Sequence, residues 1–233
     1  MENYMEISLR LKTLLNMVDN CQCMADIGTD HGYVPIYLVK NKICRRAIAS
    51  DINKGPIKKA EFNIKLHKLE DKINCRLGRG LSTIIPGEAE EIVIAGMGGN
   101  LIRDIIEEDL EVFKSAKSLI LQPMQHSQVL RKYIYNSGFK ILDEELCIDE
   151  NKFYEIIKVK YDEDIKYIDS IFYEVGEVLI KKKHSLVFKF LKNKIDNYNK
   201  IILNINKDTK LANKRKVNLL SKIEKLQELI ECI

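Results

Sequence analysis

Short apolar runs alternate with amphipathic stretches through the first 160 residues. Cys23, Met24, Ala25 and Ile27 read as a buried strand, and Ala47–Asp51, Ile73–Leu77, Glu91–Ala95 and Ser118–Leu121 as four more. Between them, apolar residues fall at helical spacing over Val34–Lys40, Lys54–Leu69, Leu101–Glu108 and Gln128–Asn136. A further helix, Ile7–Val18, precedes the first strand, and Phe139–Asp149 and Phe153–Tyr161 alternate as a closing antiparallel pair. Strands alternating with helices at this spacing predict an α/β fold, a parallel sheet with helices on both faces.

After Tyr161 the pattern changes. Glycine occurs once, at Gly176, and proline is absent. One stripe runs through Val187, Phe190, Leu191, Ile195, Tyr198, Ile201 and Ile202. A second runs through Val217, Leu220, Ile223, Leu226, Leu229 and Ile230, with a polar break at Asn204–Asn213 between them. Both have a period near 3.5, which predicts two helices folded back as an antiparallel coiled coil. The expected organisation is a sheet domain over 1–161 and a helical domain over 162–233.

Composition adds limits. A chain of 233 residues, 45% hydrophobic, holds one full α/β domain and a smaller appendage. No run of eighteen apolar residues crosses a membrane. The N-terminus MENYMEISLR lacks an apolar signal core, so a cytoplasmic protein is expected. The six cysteines form neither Cys-x-x-Cys pairs nor Cys/His clusters, which reads as reduced thiols and no metal.

Charge changes the picture more. Residues 1–160 are neutral overall, whereas Lys181 to Lys222 carry thirteen cations against Asp196 and Asp208. That imbalance exceeds an ordinary solvated face and favours a polyanionic partner. Lys181, Lys182, Lys183, Lys189, Lys192, Lys214, Arg215 and Lys216 are the candidate phosphate contacts. Arg10, in the first helix, reads equally as a nucleic-acid contact or a solvated side chain.

The chemistry concentrates in Met24–Tyr33, MADIGTDHGY, where a strand meets a glycine turn and a helix. Such a unit lets a ligand approach the backbone closely. The run Asp26-x-Gly28-x-Asp30-x-Gly32 puts an acid where a dinucleotide fingerprint needs its middle glycine, and no cation in the turn compensates. Carboxylates suit a ligand bearing a positive amine and no phosphate, such as S-adenosyl-L-methionine. Asp51, ending the second strand, is placed to hold ribose hydroxyls. Gly78-Arg79-Gly80, Gly96-Met97-Gly98-Gly99 and Gln122-Pro123 fall at the same ends of their strands. The expected ligand-binding set is Asp26, Gly28, Thr29, Asp30, His31, Gly32, Tyr33, Asp51, Ile52, Gly78, Gly80, Ala95, Gly96, Met97 and Gly98. Asp30 is the candidate catalytic carboxylate, with a role on the ligand's ammonium or the loop amides equally open.

SLRLKT, ADIGTDHGYVPIYL, AIASDINKGP, IAGMGG, LILQP and Tyr154-Glu155-Ile156-Ile157 together resemble the bacterial tRNA (adenine-22-N1)-methyltransferase family over essentially the whole chain. The resemblance implies a Rossmann-like class I methyltransferase domain, S-adenosyl-L-methionine as donor and a C-terminal coiled coil that helps hold tRNA. It leaves the oligomeric state open, with a monomer favoured. Two positions depart from the family pattern. Arg79 stands where an acid often contacts the adenine amino group, and Met124 where Asn often follows Gln-Pro.

Overall fold

The computed structural model describes residues 7–205 and 209–233. The chain divides into two compact units, one ending at Tyr167 and the other beginning at Ile168.

In the first unit the elements run α1 (Leu9–Leu15), β1 (Cys21–Ile27), α2 (Tyr33–Lys40), β2 (Cys44–Asp51), α3 (Lys54–Leu66), β3 (Ile73–Leu77) and β4 (Glu91–Gly98). Then follow α4 (Gly99–Glu108), α5 (Leu110–Ser115), β5 (Ser118–Gln125), α6 (Ser127–Asn136), β6 (Phe139–Asp149) and β7 (Lys152–Tyr161). One seven-stranded sheet has the order β3-β2-β1-β4-β5-β7-β6. Its first five strands are parallel, and β7 enters antiparallel between β5 and β6. This is the Rossmann-like α/β sheet that the alternation predicts. Strand order reverses between β1 and β4, and the crevice at such a reversal is where ligands bind.

One sheet face packs Met24, Ala47, Ala49, Val93 and Ile120 against Leu14, Ile36, Leu38, Ala60 and Ile64 of α1, α2 and α3. Side chains on successive strand positions alternate faces, so these residues recur at every second place. At the amino ends of β1 and β2, Cys21 and Cys44 are register partners with their sulfurs 2.8 Å apart. The neighbouring thiol and burial together hold the Cys21 thiol far above its usual pKa. All six cysteines are free thiols.

Arg131 of α6 is fully buried and bridges Glu144 of β6 (2.7 Å) and Glu155 of β7 (2.7 Å). Ser127 donates to the other oxygen of Glu155 at 2.7 Å. The three elements are thereby joined by charges that have left water together.

Boundaries differ from expectation where tertiary pairing outweighs the local pattern. α1 is shorter, starting after Ser8, whose hydroxyl accepts from the Leu11 amide. β1 and β2 begin earlier, at Cys21 and Cys44, and α3 stops at Leu66. β4 continues through Gly96, Met97 and Gly98, because β5 pairs with it beyond Ala95 across two bulges.

The second unit contains α7 (Ile171–Val175), α8 (Glu177–Lys181), α9 (Val187–Leu203) and α10 (Lys210–Glu231). Buried Glu174 accepts from Tyr198 (2.7 Å) and pairs with Lys222 (2.5 Å), and Asp169 pairs with Lys225, so α7 is tied to both long helices. The first apolar stripe is confirmed at Val187, Phe190 and Leu191. The second is shifted: Leu219, Ile223 and Leu226 are buried, whereas Val217 and Leu220 are exposed.

Candidate active site

The turn after β1 is built by one carbonyl. Gly28 and Thr29 both donate their amides to the Ser50 oxygen of β2, at 2.8 and 2.9 Å. Gly28 sits at φ +79, which favours glycine, and the end of the Met97 side chain lies against it in the space a Cβ would take. Asp26 is buried beneath the turn. Burial pushes its carboxyl up to about 6, while the Thr29 side chain favours the charged form.

Asp51 ends β2 half-buried, and its Oδ1 accepts from the Asn53 amide at 2.7 Å, which orients the carboxylate. Gly78 donates to the Asp51 carbonyl at 3.0 Å, bringing the loop after β3 alongside. A cavity of about 140 Å³ opens between these loops and α4. Gly28, Asp51, Ile52, Gly78, Gly80 and Met97 of the expected set line it. Asp26, Thr29, Asp30, His31, Gly32, Tyr33, Ala95, Gly96 and Gly98 of that set do not line it.

Asp30 faces outward. Its carboxylate lies 3.3 Å from His31 Nε2 and 3.6 Å from Lys59 of α3, with the side chain two-thirds exposed. The His31 ring stacks on Tyr33 at 5.1 Å. These contacts order the start of α2, whose N-cap, Gly32, has no side chain to do so.

Sequence reasoning missed one wall. Leu101, Asp104, Ile105 and Glu108 of α4 line the cavity, as do Ser50 and Arg79. The available signal was the spacing Leu101–Ile105–Glu108, a second helical face beside the buried Ile102–Ile106 face. Arg79 swings onto α4 and pairs with Glu108 at 2.5 Å. At the far side of the β4 loop, Arg10 donates to Gln122 Oε1 at 2.6 Å, its guanidinium lies over the Tyr154 ring, and its amide donates to Asp149.

A wider groove of about 540 Å³ follows β3 past Arg46, Arg76 and Glu88. Arg76 and Glu88 satisfy each other there through two hydrogen bonds, and the groove lies away from the glycine turn.

The basic residues of the second unit do not form one patch. Lys181, Lys182 and Lys183 precede α9, and Lys189 and Lys192 occupy its first two turns. Lys214, Arg215 and Lys216 lie near the start of α10, toward the other end of the helical pair. All eight are exposed. Lys181 pairs with Glu177, and Lys192 lies over the Phe188 ring.

Among the described residues, no group of three or more His, Cys, Asp or Glu side chains is placed to hold a metal. No described helix is long and apolar enough to cross a membrane.

A family model described as tRNA (adenine(22)-N(1))-methyltransferase matches residues 24–228. A tRNA (adenine(22)-N(1))-methyltransferase of Bacillus subtilis is 34% identical over 98% of this chain and 99% of its own length. A Streptococcus pneumoniae structure, a tRNA (m1A22) methyltransferase homologue in complex with S-adenosyl-L-methionine, superposes with a TM-score of 0.86. It is 30% identical over 97% of this chain and 100% of that one. The M. capricolum TrmK structure in complex with S-adenosyl-homocysteine gives 0.82, at 27% identity over 97% of this chain and 98% of that one.

Proposed function

Because the chain belongs to the tRNA (adenine(22)-N(1))-methyltransferase family, we propose that the cavity under Gly28 is the donor site of a tRNA methyltransferase. The enzyme transfers the methyl group of S-adenosyl-L-methionine to N1 of adenine 22.

The residues present suit that donor. Carboxylates at Asp26 and Asp51, with no cation in the turn, match a ligand that carries an ammonium, a sulphonium and a ribose. Ile52, Leu101 and Ile105 offer apolar walls to a flat base, and Gly78 and Gly80 let backbone frame its edge. The cavity is smaller than the ~300 Å³ or more typical of ligand sites, and the flexible Met97 side chain is the wall free to give way. When bound, the donor supplies an electrophilic methyl on a positive sulfur.

The chain's own task is placement. Adenine N1 has an in-plane lone pair and is unprotonated at neutral pH, so no strong base is needed. The β4 loop, Ala95 to Gly98, stands between the donor cavity and the ends of β5 and β7 and sets the line of approach. In this reading its carbonyls stabilise the positive charge left on the methylated base. Asp30 faces outward beside the turn, held by His31 and Lys59, and in this reading it orders the turn. Because pairing hides N1, the target nucleotide must leave its stack. The basic faces of α9 and α10 grip tRNA phosphates meanwhile, in the cytoplasm, where tRNA is found.

The observation that carries this reading is the meeting of Asp51, the Gly28 turn and the β4 loop at the strand-order reversal. The test is an unmodified tRNA transcript incubated with labelled donor. Label should appear with an adenine at position 22 and vanish when that position is guanine. Binding of donor and tRNA without transfer would instead make the protein a non-catalytic RNA-binding module.

A further inference from the structure

Gly96 is the extra residue of a β-bulge. Ala95 pairs with Gln122 and Met97 with Pro123, so β5 offers Gly96 no partner in register. At φ +77 the residue also leaves ordinary strand geometry. The ladder therefore does not determine the shape of this loop. A side chain does: Gly96 donates its amide to Gln122 Oε1 at 3.2 Å.

That oxygen is itself fixed. Arg10 Nη1 donates to it at 2.6 Å, and Gln122 Nε2 donates to the Pro123 carbonyl at 3.0 Å. With two donors converging on one atom, only the oxygen of the amide fits there, so the group has a single orientation. Gln122 is fully buried. Arg10 is held in turn, its ring contact with Tyr154 and its amide bond to Asp149 anchoring it to the β6–β7 hairpin. At the loop's other side the Met97 side chain packs onto Gly28 of the donor turn.

We propose that Gln122 and Arg10 are positioning residues for methyl transfer: Arg10 locks the Gln122 amide, and the amide sets the Gly96–Gly98 loop between donor and target base. The inference rests on the donor site assigned above. It gives Arg10 a role other than gripping RNA, and it explains why a cation sits beside a neutral, buried amide. A charged donor to an amide oxygen is stronger than a neutral one, and a loop free to drift by an ångström costs roughly a hundredfold in rate.

The test is steady-state methylation of tRNA by the full chain with Arg10→Met, Arg10→Lys, Gln122→Leu and Gln122→Glu, beside calorimetric binding of S-adenosyl-homocysteine. Arg10→Met should lower kcat roughly 10- to 100-fold. Its KM for tRNA and its affinity for S-adenosyl-homocysteine should stay within about threefold, the small change expected of a residue touching neither ligand. Arg10→Lys, which keeps one charged donor, should restore most of kcat. Gln122→Glu, which keeps an acceptor facing Arg10 and Gly96, should outperform Gln122→Leu. If burial makes the Gln122 variants unstable, the two Arg10 variants decide alone. A raised KM for tRNA with kcat intact would make Arg10 an RNA contact and overturn the proposal, as would an unchanged kcat. Absence of transfer by the unaltered protein would instead defeat the functional reading on which both depend.

Discussion

Arg79 reaches across the cavity rim to Glu108, Nη2 to Oε1, at 2.5 Å. A residue in the loop after β3 and one in the last turn of α4 are thus joined outside the space they border. The Arg79 side chain is 69% exposed and that of Glu108 42%, so the pair is a surface ion pair of small net worth.

Removing it should matter little to the donor. Arg79→Ala is expected to leave S-adenosyl-homocysteine affinity within about threefold and the melting temperature nearly unchanged. Arg79→Asp should bind the donor at least as well as the unaltered protein, since the added acid lies near the adenine end. A drop beyond tenfold in calorimetry would place the guanidinium in contact with the base.

Asp51 is expected to dominate donor affinity. Its Oδ1 is engaged by the Asn53 amide, which leaves the carboxylate oriented for a further donor. Asp51→Ala should weaken binding by about 1.5 to 3 kcal/mol, the range for a lost hydrogen bond to a charged group. An unchanged dissociation constant would remove Asp51 from the site.

Asp26 ties stability to pH. Its carboxyl titrates at about 6 in the fold, against 3.8 in the ordinary state, because burial disfavours the charge. Between those values the native state holds a proton that the unfolded chain has lost. The stability linked to Asp26 is therefore full below the lower value and falls as pH rises through about 6. At pH 8 the cost is on the order of 3 kcal/mol. Asp26→Asn should stabilise the protein at pH 8 more than at pH 4.5, measured by urea unfolding. Equal effects at both pH values would contradict the buried, charged carboxylate.

The thiols should sort by accessibility. Cys232 is exposed, whereas Cys21 and Cys44 are buried against each other and Cys21 holds its proton far above neutrality. Limited iodoacetamide treatment at pH 7.5 should label Cys232 first and the pair only on unfolding, read by mass spectrometry. Early labelling of Cys21 would show that the amino ends of β1 and β2 open readily.

The cations of α9 and α10 should govern salt dependence. Replacing Lys189, Lys192, Lys214 and Lys216 with Gln should cut the slope of log affinity for tRNA against log salt by roughly three, if each meets a phosphate. Donor affinity should not change. An unaltered slope would move these residues from RNA contact to solvation.

The succession of strands and helices was legible because period two and period 3.6 are local properties. Boundaries that depend on a neighbour were not. β4 ends three residues later than its apolar run suggests because β5 supplies partners for Met97 and for Gly98, a residue with no strand preference of its own. In α10, Val217 and Leu220 fit a stripe as well as Leu219 does, and only the packing partner selects between them. The short helices α7 and α8 are too brief to show a period. Within the site, Gly28 and Asp51 were readable from residue type and position. Arg79 with Glu108, and Arg10 with Gln122, were not, since a pairing across 29 or 112 positions leaves no local trace.

Buried Arg131 bears on how this scaffold can be recombined. Its guanidinium joins α6 to both strands of the closing hairpin through Glu144 and Glu155. Stranding one member of such a cluster costs about 3 to 5 kcal/mol, a large part of the stability of a domain this size. Grafting the β6–β7 hairpin into a related enzyme therefore requires α6 to travel with it. The unit that would exchange whole is α6 with β6 and β7, and a junction between Ser127 and Glu155 would part the charges that Arg131 holds together.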